Sequence, residues 1–202
     1  MPGSPLNSAR DGSTPPAGLV LAGGESRRLG EDKARLDGAA LPSLAAARLA
    51  PLCAGVAVAD RGRNLVPGRP SLADGAGRGP AAGILGGAAA YPGRPLLVLA
   101  CDLPQVPPGL LAALALSSGW DWAVPRWAGG LEPLCALYGP AALAALAARV
   151  AAGRLDLHGL AGEDGLAIRF LEEADLRPFG DPAELFFNLN TPPDLARWRR
   201  RV

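Results

Sequence analysis

Gly18-Leu19-Val20-Leu21-Ala22-Gly23-Gly24-Glu25-Ser26-Arg27-Arg28-Leu29-Gly30-Glu31-Asp32-Lys33 joins a short apolar run to a glycine-rich turn. The run Gly18 to Ala22 is the length and composition of a buried strand. A strand that feeds a glycine-rich turn brings backbone N–H groups against phosphate oxygens. Lys33 is the chain's only lysine beside nineteen arginines, so a compact, mobile ammonium stands where arginine serves almost everywhere else. No Gly-Lys-Ser/Thr follows the glycines and no Gly-x-Gly-x-x-Gly spacing is present, which argues against a P-loop ATPase or a nicotinamide enzyme.

Outward from this segment, strand-like and helix-like stretches alternate. Helices are expected over 41–52, 80–90, 107–116, 139–152 and 192–201, and strands over 55–59, 96–100, 120–124 and 167–171. This βαβα order predicts a Rossmann-like, three-layer α/β/α fold with a mostly parallel sheet. Ligands in such folds sit beyond the carboxyl ends of the strands. The turns after Ala22, Ala59 and Ala100 all fall there. Residues 1–17 are rich in Pro, Gly and Ser with no apolar core, and are expected to form a disordered leader before one domain over 18–202.

Composition removes several classes of function. A net charge of +1 gives no support for a nucleic-acid or anionic-membrane partner. Cys53, Cys101 and Cys135 are widely spaced without a CxxC, and His158 is the lone histidine, so a zinc or iron–sulfur site is not expected. Reduced cysteines and the lack of a long apolar run point to a soluble, cytoplasmic protein.

Asp102 stands just past the apolar run Leu96–Ala100, where it is either a turn aspartate before Leu103-Pro104 or a carboxylate displayed at the sheet's carboxyl edge. Magnesium takes one or two carboxylates plus phosphate oxygens and water, so a single aspartate suffices. Asp74 lies in a connection, Leu72 to Gly79, that looks loose. Read alone, it is a solvated turn aspartate. Asn188 and Asn190 precede Thr191-Pro192, which suit the start of a last helix. Trp120, Trp122 and Trp127 either line a pocket or pack in the core.

Five segments in order, the opening turn, Gly79-Pro80-Ala81-Ala82-Gly83-Ile84, Cys101-Asp102-Leu103-Pro104, Glu132-Pro133-Leu134 with Ala136-Leu137-Tyr138, and Phe187-Asn188-Leu189-Asn190-Thr191-Pro192, make the chain resemble the molybdenum cofactor guanylyltransferases. The resemblance implies a nucleotide-diphospho-sugar transferase type of fold. It implies transfer of GMP from GTP to the terminal phosphate of molybdopterin, or Mo-molybdopterin, with release of pyrophosphate. It implies Mg²⁺ on Asp102, catalytic roles for Arg28, Lys33 and Asp102, and nucleotide contacts at Leu21, Ala22, Gly23, Gly24, Lys33, Asp74, Gly79, Gly83 and Asp102. Arg154, Asn188 and Asn190 fall on the pterin side, with an ordinary surface role open for Arg154, and Glu132 lines the site. Molybdenum-insertion proteins and molybdoenzyme chaperones are the implied partners. Relatives place an asparagine after the second strand; here Val58-Ala59-Asp60-Arg61 stands instead, so either Asp60 substitutes or that contact is absent. The alternatives are a cytidylyltransferase, another sibling acting on a phosphorylated small molecule, and a non-catalytic GTP-binding accessory protein.

Overall fold

The computed structural model describes residues 14–23, 41–189 and 192–199. Strands β1 (Ala17–Leu21), β2 (Val56–Ala59), β3 (Ser71–Leu72) and β4 (Leu96–Ala100) run parallel in the spatial order β3-β2-β1-β4. Beyond β4 the sheet changes character. β7 (Cys135–Tyr138) is inserted antiparallel between β4 and β5 (Trp122–Trp127), β6 (Gly130–Leu131) folds back on β5, and β8 (Ile168–Leu171) pairs parallel with β5. The mostly parallel sheet expected from the sequence is thus present, with β7 as its antiparallel insertion.

Two packed layers of helix enclose it. Along β4, Leu97 and Leu99 join the cluster built by α1 (Leu41–Leu49) and α3 (Pro108–Ala115), whereas Leu96 and Val98 join the one built by α2 (Gly79–Ala90) and α4 (Pro140–Ala151). A strand covered on both faces must be apolar at every position, which is why β4 has no polar alternation. α2 lies close to the sheet because Gly83 and Gly87 face it: side chains there would begin 3.0 Å from Leu21 Cδ2 and 2.6 Å from Leu19 Cδ2. Short helices α5 (Glu173–Leu176) and α6 (Pro182–Leu185) extend the α1/α3 face, and α7 (Pro192–Arg199) follows.

Some expected boundaries move. α1 ends at Leu49 rather than 52, because the ring of Pro51 cannot continue a helix. β5 begins at Trp122 and runs on to Trp127 rather than ending at 124. The expected end of the leader, Ala17, is the first residue of β1 and fully buried, its N–H donating to Pro95 O at 2.9 Å.

Candidate active site

Parallel strands end on one edge of a sheet, and here each of the four delivers one polar feature to it. Asp74 follows β3, Arg61 follows β2, Gly23 follows β1 and Asp102 follows β4. With neighbouring strands about 4.8 Å apart, three intervals separate Asp74 from Asp102 by roughly 14 Å. Gly24, Arg28 and Lys33 lie outside the described residues, as does Asn190.

The turn after β1 is tied down before its first glycine. Leu21 O accepts from Cys101 N at 3.1 Å, Ala22 N donates to Ala59 O at 3.0 Å, and Ala22 O accepts from the Arg63 guanidinium. Leu21 and Ala22 thus have main-chain groups committed to the sheet and its loops, and Gly23 opens the turn proper. A side chain on Gly23 would begin 3.6 Å from Arg61 Nε and 3.9 Å from Asp74 Oδ1. A side chain there would meet both groups at ordinary contact distance and fill the space before them.

Asp60 does not reach that space. It is fully buried, and its carboxylate accepts from Leu65 N at 2.8 Å and from the Ser71 hydroxyl, closing the loop between β2 and β3. Arg61 is the residue at the rim. Its backbone is left-handed, φ 60, and its Nε donates to Asp74 Oδ2 at 2.9 Å.

The connection that holds Asp74 is far from loose. Gly75 N donates to Ala82 O at 2.7 Å. A side chain at Gly75 would begin 2.6 Å from Gly86 N, and one at Gly86 would begin 2.6 Å from Ala73 O. Loop and helix backbones therefore lie in direct contact on both sides of Asp74. Gly79 opens α2 at φ 64 with open space before it, while Gly83 is occupied by its packing on Leu21 and Ala59. Of these two glycines, Gly79 alone offers room to a nucleotide.

Asp102 is fixed from three directions. Leu103 N returns to Ala100 O at 3.2 Å, and Arg48 from α1 donates through Nη1 to Pro104 O and Val106 O at 2.6 and 2.9 Å. Leu189 N donates to Asp102 O at 2.9 Å, which carries half-buried Asn188 to the same place. Across the antiparallel seam Leu99 pairs with Cys135, and Ala100 N donates to Leu134 O at 2.8 Å. Continued two residues, that register sets Glu132 opposite Asp102. The Tyr138 hydroxyl donates to Pro133 O at 2.9 Å and steadies the turn. Burial pushes the Glu132 carboxyl up to about 7, the neighbouring Asp102 charge adds to this, and a hydrogen bond from the Leu134 N–H opposes it. The sequence marks Glu132 only as lining. Its pairing with Asp102 depends on the direction of β7, which no residue pattern declares.

The remaining expected residues separate. Arg154 follows α4, on the α2/α4 face; its guanidinium is 55 % exposed and lies 3.3 Å from Glu163 Oε1. Asn188 follows Phe186, which packs on the α1/α3 face. The structure does not bring Arg154 and Asn188 together on one face. The tryptophans divide too: Trp122 is core, Trp120 is exposed, and Trp127 sits at the end of β5 with its ring centroid 6.0 Å from that of Phe186. His158 is exposed, and Cys53 and Cys135 are free thiols.

Residues 18–162 match the family model described as the MobA-like NTP transferase domain. The chain belongs to this family. It is 38 % identical over 190 residues to the molybdenum cofactor guanylyltransferase of Cereibacter sphaeroides, covering 89 % of this chain and 93 % of that protein. It is 33 % identical over 198 residues to that of Rhodobacter capsulatus, covering 92 % and 96 %. Among solved structures, molybdopterin-guanine dinucleotide biosynthesis protein A from Archaeoglobus fulgidus superposes with a TM-score of 0.76 at 26 % identity, covering 92 % of this chain and 97 % of that one. A cytidylyltransferase for 2-C-methyl-D-erythritol 4-phosphate from Thermus thermophilus superposes at 0.65 with 21 % identity, covering 94 % and 100 %, so the fold is shared across different bases.

For an NTP transferase the edge is laid out in a usable order. A carboxylate–guanidinium pair stands at β3 and β2, a glycine turn at β1 and two carboxylates at the seam of β4 and β7. Among the described residues no group of three or more His, Cys, Asp or Glu side chains is placed to hold a metal ion. Nor is any helix among them long and apolar enough to cross a membrane.

Proposed function

We propose that the protein transfers GMP from GTP to the terminal phosphate of molybdopterin, with or without molybdenum, and releases pyrophosphate. The observation that carries this reading is the order along one sheet edge: Asp74 at β3, Gly23 at β1, Asp102 at β4, over a span suited to a nucleotide from base to α-phosphate. The family membership and the activity in the relatives' names support it.

In this reading the guanine lies at Asp74 and the triphosphate passes the turn that opens at Gly23. Arg28 and Lys33 are assigned to its oxygens. The donor set at Asp102 suits Mg²⁺: a carboxylate with a second acid opposite it, in a setting that already disfavours further negative charge. When bound, the ion neutralises charge on the phosphates. The acceptor phosphate oxygen forms a new bond to the α-phosphorus, and the bond from that phosphorus to the bridging oxygen of pyrophosphate breaks. A phosphate monoester dianion is already a competent nucleophile, so no side chain need remove a proton. Asp102, Lys33 and the glycine turn act by positioning and by charge stabilisation. Asn188, next to the Leu189 whose N–H meets the Asp102 carbonyl, is assigned to the pterin side, and so is Asn190.

A nucleotide panel tests this: GTP, CTP, ATP and UTP with Mg²⁺ and molybdopterin, following pyrophosphate. Selective turnover of GTP is expected. Selective turnover of CTP would replace guanine by cytosine. GTP binding without pyrophosphate release would make the chain an accessory protein instead of an enzyme.

A further inference from the structure

Arg61 stands outside the roles described so far. It is 42 % exposed, and its partner Asp74 is 29 % exposed. An exposed ion pair of this kind adds little to stability. Yet Arg61 adopts the left-handed backbone that glycine favours and other residues seldom do, φ 60, with Gly62 following at φ 75. Its loop is held from both sides, by Arg63 Nε on Asp60 O at 2.9 Å and by Gly62 N on Leu72 O at 3.3 Å. The result is a guanidinium and a carboxylate side by side, both within 4 Å of the point where a side chain on Gly23 would start.

We infer that Arg61 is a specificity-determining residue that reads the nucleotide base together with Asp74: Asp74 accepts from N1–H and the 2-amino group of guanine, and the Nη groups of Arg61 donate to O6 and N7. The inference rests on the GTP reading above and extends it to a residue with no assigned role. Along its edge guanine presents two donors followed by two acceptors. A carboxylate beside a guanidinium offers two acceptors followed by two donors. With Nε engaged by Asp74, the planar fork is held at a fixed angle to the carboxylate, and its Nη hydrogens remain for the base. Adenine places an amine where O6 would be and an unprotonated N1 against the carboxylate. Cytosine places the acceptor N3 there. Either mismatch leaves charged groups desolvated without partners. Asp60, one residue earlier, cannot take this role because its carboxylate is buried in the loop.

The test is equilibrium binding of GTP, 7-deaza-GTP, ITP and CTP to the full chain, in wild type, Arg61→Gly and Arg61→Lys. Glycine suits φ 60, so that variant removes the side chain without opposing the backbone. Wild type is expected to bind GTP about tenfold more tightly than 7-deaza-GTP, which lacks the N7 acceptor. Arg61→Gly is expected to bind the two alike while still preferring GTP over ITP, since Asp74 remains to meet the 2-amino group. Arg61→Lys keeps the charge and loses the fork, and is also expected to lose the 7-deaza discrimination. A merely structural Arg61 would shift all four nucleotides by one common factor. That result, or equal affinity of wild type for GTP and 7-deaza-GTP, would overturn the inference. Tighter binding of CTP than GTP by wild type would overturn the guanine reading itself, a separate and distinguishable failure.

Discussion

The half of the sheet built from β3, β2, β1 and β4 and the half built from β7, β5 and β8 present their chemistry in different ways. In the first, parallel strands carry successive loops to one edge, and each loop is locked by main-chain contacts: Gly75 on Ala82, Ala22 on Ala59, Cys101 on Leu21. Polar groups there are spaced by strand separation, which suits an extended ligand. In the second, the antiparallel β7 sets Glu132 against Asp102 and leaves aromatic rings, Trp127 and Phe186, nearby. Charge is concentrated at the seam rather than spread. An elongated nucleotide and a compact acceptor phosphate would each find the arrangement it needs, and Asp102, the proposed metal ligand, stands where the halves meet.

Variants that separate the halves test this division. Asp102→Ala, at the seam, should lower turnover on the order of 10³-fold with the far-UV spectrum unchanged. Pyrophosphate release at the wild-type rate would remove Asp102 from the mechanism. Next in size is the pH dependence of the antiparallel side. Glu132 holds its proton up to about 7 in the folded chain against an ordinary value of 4.5, so the folded state binds more protons between those limits. Stability should therefore fall as pH rises from about 4.5 to 7 by up to about 3 kcal/mol, then level off. Glu132→Gln should flatten that slope, read as melting temperature against pH in a metal chelator. An unchanged slope would show that Glu132 is not strained by burial.

On the parallel side, Gly75→Ala places a methyl against the Gly86 backbone and should cost about 1–3 kcal/mol. Because Asp74 moves with it, GTP affinity should fall about tenfold while the acceptor KM holds, and a shift confined to the acceptor would exchange the roles of the halves. The smallest effect is expected for Asn188→Ala: a rise in acceptor KM of about fivefold, about 1 kcal/mol, with GTP affinity unchanged by titration.

Much of the parallel half is legible in the residues. β1, β2 and β4 are continuous apolar runs, the helices between them begin near prolines, and the aspartate after Ala100 falls where such folds bind ligands. β3 is not legible, being two residues long and bounded by Pro70. The direction of β7 is hidden for another reason. Cys135–Tyr138 is as apolar as β4, and burial on both faces leaves no alternation to distinguish parallel from antiparallel. The pairing of Glu132 with Asp102 follows from that direction and was hidden with it. Asp74 looked mobile because glycines surround it; contact between Gly75 and Gly86, eleven residues apart, turns the same glycines into the reason it is rigid. Arg28 and Lys33, the most distinctive residues of the sequence, lie outside the described residues, so their meeting with Asp102 stays a prediction.

The bare backbone contact of the Ala73–Gly75 segment with Gly86 has an evolutionary side. Substrate choice in this scaffold can drift by two routes: exchanging the group that greets the base, or reshaping the bed beneath it. A laboratory selection for altered nucleotide usage should accordingly return changes at Gly86, midway along a helix and away from the ligand, alongside those in the pocket.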